Sequence, residues 1–141
     1  MAIIIKTDKE LELMRSAGKA TAEVLKILAL NIKPGTLTSE LNEIAQQEAK
    51  RLGGTPSFKG YQGFPANVCV SINNEIVHGI PGNRAIEAGD VVSLDFGLKL
   101  KGFQGDTALT VGVEPLTTDK ARLIDVTKEA LDAGIKAAKN G

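Results

Sequence analysis

The chain has 141 residues, 43% of them apolar, which suits one domain of ordinary size with a real core. Its 17 basic and 17 acidic residues cancel, which excludes the basic footprint of a nucleic-acid binder. With no apolar run long enough for a membrane span, an opening Met-Ala-Ile-Ile-Ile-Lys too short for a signal peptide, and one cysteine, the expectation is a cytoplasmic protein without a disulfide framework.

Thr7 to about Ile32 reads as a long helix. Thr7 and Glu10 match a capping box, and Leu11, Met14, Ala17, Thr21, Val24, Leu25 and Leu28 mark one buried stripe. Lys33-Pro34-Gly35 ends it. Thr36 or Thr38 is the expected cap of a second helix that runs to Leu52, with Leu41, Ile44, Ala45 and Ala49 on its inner side and Gly53-Gly54 as its stop.

A glycine- and aromatic-rich loop or irregular strand follows. Phe58, Tyr61 and Phe64 place three of the five aromatics within seven residues. They form either a cluster under a loop or the wall of an apolar pocket, and the sequence weighs these evenly. Val68–Ile72 reads as a short strand. Its Cys69 is read as a small core residue in preference to a reactive thiol, since no cationic neighbour in sequence would lower its pKa. After an Asn73-Asn74 turn, Glu75–His78 continues as extended chain until Gly79-Ile-Pro81-Gly82 breaks it. His78, the only histidine, is most simply a surface or hydrogen-bonded residue near a strand end. The constrained backbone of Gly79 and Pro81 favours a positioned side chain.

Asp90–Val113 carries the densest signal. Val92, Leu94, Phe96, Leu98 and Leu100 alternate with small or polar residues, and Leu109, Val111 and Val113 repeat the period on the return. A two-residue loop at Lys101-Gly102 puts Leu100 opposite Phe103 and Asp95 opposite Ala108. Asp106 then shares the face of Asp95 as its diagonal neighbour, roughly 7–8 Å away at the backbone. An odd loop length would separate the two. Paired carboxylates repel, and a shared proton or a hard divalent cation relieves that. Either they form such a site or they decorate a solvated sheet face. That face, with Ser93, Gly97 and Thr110, is solvated or covered by another unit. Thr118 to about Lys139 reads as a third helix, with Leu123, Ile124, Thr127, Ala130, Leu131 and Ile135 in its stripe. The order helix, helix, strands, helix predicts an α+β fold with helices on one face of an antiparallel sheet.

Five stretches together resemble type I methionine aminopeptidase: Gly60-Tyr-Gln-Gly-Phe-Pro65, Val68-Cys-Val-Ser-Ile-Asn73, Glu75-Ile-Val-His-Gly-Ile-Pro81, Gly89-Asp-Val-Val-Ser-Leu-Asp95 and Gly102-Phe-Gln-Gly-Asp106-Thr. The likeness covers nearly the whole chain. It implies a cytosolic metalloaminopeptidase that removes the initiator methionine, with N-terminal Met peptides of nascent proteins as its partners. It implies the pita-bread fold, two similar α+β halves about a pseudo-two-fold axis. Two divalent ions (Co, Mn, Fe or Zn) are held there by two aspartates, a histidine and two glutamates. Asp95 matches the aspartate on one metal and Asp106 the one that bridges both. His78 matches a catalytic histidine that contacts substrate without binding metal. Phe58, Tyr61, Phe64 and Cys69 fall where the family lines its methionine pocket, and Phe58 is a position of departure from relatives with a smaller residue, a difference that would change the pocket's depth.

The resemblance also implies about twice this length. The expectation is that residues 1–141 are a single half-domain, the N-terminal half of the fold with the second half absent. Its metal site is then incomplete and the chain alone has little or no peptidase activity. Three readings follow: the first half of a longer enzyme, a half-fold that dimerises, or a non-catalytic relative that binds metal, peptides or partners. A symmetric homodimer would bring four carboxylates to its axis, a site suited to Mg²⁺ or Mn²⁺. The partners expected are therefore Met peptides and either a second copy or the missing C-terminal half.

Overall fold

The computed structural model describes residues 3–140; of the half-domain expected over 1–141, Met1, Ala2 and Gly141 lie outside the described residues. Helix α1 spans Asp8–Leu30. Its capping box forms as the sequence indicates: the Glu10 N–H donates to the Thr7 hydroxyl at 3.3 Å, and the Thr7 N–H donates to the Glu10 carboxylate at 2.8 Å. Such a cap contributes about 1 kcal/mol. The helix buries Ala17, Ala20, Thr21, Val24, Leu25 and Leu28, while Leu11 is only half-buried and Met14, expected in the same buried stripe, is exposed.

Helix α2 spans Thr38–Arg51, and its cap corrects the sequence expectation. Leu37 is the N-cap residue, and its N–H donates to the Glu40 carboxylate at 3.0 Å. Neither threonine hydroxyl is free to cap. Thr36 donates to the Asn31 carbonyl at 3.1 Å. Thr38, the first helical residue, exchanges hydrogen bonds with the Gly82 carbonyl and N–H at 3.0 and 2.9 Å.

The sheet is antiparallel and organised on one strand. Strands β1 (Thr55–Pro56) and β2 (Cys69–Ile72) lie along one edge of β3 (Val91–Leu100), and β4 (Phe103–Gly112) lies along the other. Leu100 pairs with Phe103 and Asp95 with Ala108, the register expected from a two-residue loop. Lys101 (φ 49°) and Gly102 (φ 86°) form that loop, both in the left-handed region that a tight hairpin turn requires.

Val92, Leu94, Phe96 and Leu98 are fully buried on the face that α1 covers. Burial of each such side chain is worth about 1.5–3 kcal/mol. The approach of α1 depends on Gly105 of β4. A Cβ there would stand 2.9 Å from the Ala17 carbonyl oxygen and overlap the Thr21 hydroxyl. That buried hydroxyl donates to Ala17 at 2.7 Å, so it has no freedom to yield.

Two segments depart from expectation. Residues 75–78 form no strand and carry a single bend at Val77, because after Ile72 the chain turns away at Asn73 (φ 58°). Helix α3 (Thr118–Ala137) forms in the expected place but buries none of its residues. Whereas α1 and α2 back the sheet, α3 touches it at one corner, where Leu116 and Ile124 close over Gly112 on the aspartate face. Leu123, Leu131 and Ile135 remain more than 60% exposed.

Replacing Gly105 with alanine is expected to destabilise the fold by about 1–3 kcal/mol, read as a lower denaturation midpoint at unchanged slope. Gly102→Ala, which leaves space but strains φ, is the comparison.

Candidate functional site

The β3–β4 register decides the site. Asp95 stands opposite Ala108 and Asp106 opposite Gly97, so the two carboxylates are diagonal neighbours on the face away from α1. On the other edge of β3, Cys69 pairs with Asp95 and shares that face. Asp95 is half-buried and Asp106 exposed. Burial pushes the Asp95 carboxyl above its ordinary value, the neighbouring Asp106 adds to this, and His78 opposes it.

Cys69 is buried, as expected, but on the aspartate face rather than in the hydrophobic core. Its thiol is pushed up to about 11, first by burial and then by the two aspartates. It is therefore a neutral wall of the site at physiological pH.

The aromatic loop closes the far side. Its base is a bare backbone position: a Cβ on Gly97 would lie 2.6 Å from the Phe58 ring and overlap the Ser57 hydroxyl. Phe58 thus packs over the strand at the residue that faces Asp106. The Ser57 N–H donates to the Gly97 carbonyl at 2.9 Å and fixes that approach. Beyond it, the Gly60 N–H donates to the Phe64 carbonyl at 2.8 Å, closing a tight loop that holds Tyr61 and Phe64.

A cavity of about 480 Å³ results, and it brings together all seven residues singled out from the sequence: Phe58, Tyr61, Phe64, Cys69, His78, Asp95 and Asp106. Of the two readings of the aromatics, the pocket wall is the one observed. Ile80 and Pro65 also line it. Sequence reading missed them as wall residues, although Ile80 lies two residues beyond His78 and Pro65 ends the aromatic stretch. His78 is exposed at the rim, with φ 59°. It also borders a second cleft of about 950 Å³ between residues 73–78, the aspartate face and α3.

The site resembles a metal centre only in part. Two carboxylates on one face suit a hard divalent ion. Among the described residues, however, no group of three or more His, Cys, Asp or Glu is arranged to hold a metal.

Residues 12–141 match the profile of metallopeptidase family M24. The chain belongs to this family. It is 48% identical over 139 residues to methionine aminopeptidase 1 of Bacillus subtilis, covering 99% of this chain and 56% of that protein. The crystal structure of a methionine aminopeptidase from Thermotoga maritima superposes with a TM-score of 0.95 at 38% identity, over 99% of this chain and 57% of that one. An Xaa-Pro dipeptidase from Bacillus anthracis superposes at 0.84 with 25% identity, over 97% of this chain and 37% of that one. The M24 chain thus takes the pita-bread fold over the length it covers, and it spans about half the length of the curated relatives it matches. M24 enzymes use divalent metal, and the Asp95–Asp106 pair supplies oxygen donors of the right chemistry.

The raised Asp95 carboxyl sets a pH dependence in metal-free solution. Between the unfolded and folded values the native state binds more protons, so stability falls as pH rises through that window. Asp95→Asn is expected to remove this fall, read from urea midpoints across the acid range.

Proposed function

We propose that this chain carries the aspartate half of a methionine aminopeptidase site. The observation behind the reading is the placement of Asp95 and Asp106 side by side in a cavity walled by aromatics, with His78 at its rim. Asp95 would hold one divalent ion and Asp106 would serve two, drawn from Co, Mn, Fe or Zn. Bound there, such ions supply Lewis acidity toward a peptide carbonyl and toward water.

The chain's own residues supply binding and orientation. Phe58, Tyr61, Phe64 and Cys69 form the wall for an unbranched methionine side chain, and the neutral thiol adds a soft apolar surface. His78 touches the substrate and helps move a proton. The substrate is the N-terminal methionine of nascent proteins, met in the cytosol. No described helix is long and apolar enough to cross a membrane.

We take residues 1–141 as one half-domain. Asp95 and Asp106 are two of five ligands, so the chain alone is expected to release no methionine from a Met-Ala-Ser peptide with Mn²⁺ or Co²⁺. The test is a chimera in which this chain replaces the matching part of the Bacillus subtilis relative. It should release methionine, and Asp95→Asn or Asp106→Asn should each lower kcat/KM at least about 100-fold. An active chimera indifferent to both substitutions would sink the proposal.

The exposed apolar side of α3 favours a second reading, a homodimer acting as a metal- or peptide-binding module. It predicts Mn²⁺-dependent association in sedimentation that Asp106→Asn abolishes. A monomer at every metal concentration would remove it.

A further inference from the structure

We infer that Glu75 is a positioning residue for His78. The inference rests on the proposed role of His78 for its functional consequence, though not for its geometry.

His78 occupies the left-handed region (φ 59°), which a non-glycine residue keeps only when its surroundings hold it. Downstream the hold is firm. The Val70 N–H donates to the Gly79 carbonyl at 2.9 Å, and the Gly79 N–H donates to the Ser71 hydroxyl at 3.1 Å. Gly79 lies so close to β2 that a Cβ would overlap the Val70 carbonyl oxygen.

Upstream, the task falls to Glu75. One of its carboxylate oxygens accepts from the Ile72 N–H at 2.8 Å, folding the chain back on the last residue of β2. The other accepts from Arg84 at 3.0 Å, beyond the far end of the loop. For residues 74–78 these are the only side-chain hydrogen bonds among the described residues; Asn73, just before them, donates to the Asp90 carboxylate at 2.8 Å and accepts from the Val91 N–H at 3.0 Å. Ile76 and Val77, which separate Glu75 from His78, are 88% and 65% exposed and contribute no packed anchor. The ion pair alone is exposed and weak, so the backbone contact at Ile72 carries the positioning.

His78 is the only histidine, so its imidazole gives a single Cε1–H signal in the metal-free chain. Glu75→Ala should move that signal toward the position of free histidine, while the amide signals of Gly102 and Gly105 in the hairpin stay in place. Glu75→Gln, whose side-chain oxygen still accepts from Ile72, should restore the original signal. An unmoved His78 signal in Glu75→Ala overturns the inference. If that variant fails to fold, Glu75→Asp decides. One methylene shorter, it should also displace the signal, and an unmoved signal again overturns the inference. None of these readings depends on peptidase activity, so the inference and the proposed function fail separately.

Discussion

Everything at the site hangs on the two-residue turn at Lys101-Gly102. With both residues at positive φ, the chain reverses in the tightest way a twisted hairpin permits, and the strand register follows. A one-residue slip would send the carboxylates to opposite faces and turn buried leucines to solvent. The burial of Val92, Leu94, Phe96 and Leu98 under α1 enforces the same register from the other side. Turn and core therefore specify one arrangement, and the aspartate pair inherits it.

The hairpin is also divided by size. Its core face carries large side chains interrupted by Gly105, which lets α1 seat against the strand. Its aspartate face carries small residues around the pair, Ser93, Gly97, Ala108, Thr110 and Gly112. Gly97 admits Phe58 and Gly112 admits Leu116, so both ends of this face are closed by apolar side chains while the middle stays open. Ser93 and Thr110 satisfy each other at 2.9 Å. The raised Asp95 carboxyl and the raised Cys69 thiol share their causes, burial first and then a neighbouring aspartate charge.

The hairpin was legible in the sequence because its period, its turn residues and its parity all agree. The first helix was legible for a similar reason, with cap and stripe in register. The cap of α2 was not, since the hydroxyl of Thr38 is claimed by Gly82, 44 residues away, and no local pattern reports that. The irregular chain at 75–78 hid behind an extended-looking Ile-Val-His run. What opposes strand there is the left-handed Asn73 and the return of Glu75 to Ile72, again tertiary facts. The aromatic loop showed its composition but not its seat, because Gly97 matters only once Phe58 lies over it. The apolar stripe of α3 was read correctly as a stripe; its exposure follows from geometry that amphipathicity does not encode.

Helix α3 is also thinly tied to the rest. The Lys120 ammonium donates to the Gly89 carbonyl at 2.6 Å and reaches Asn73 at 3.4 Å, while Ile124 and Leu116 rest on Gly112. Past Ile124, no residue of the helix is buried. A 20-residue helix with so little tertiary support is marginal in water. Its amides should exchange with solvent through local fraying that starts at the C-terminal end, whereas those of β3 wait for global opening. Lys120 thus stands at the joint between the sheet and the exposed length of α3.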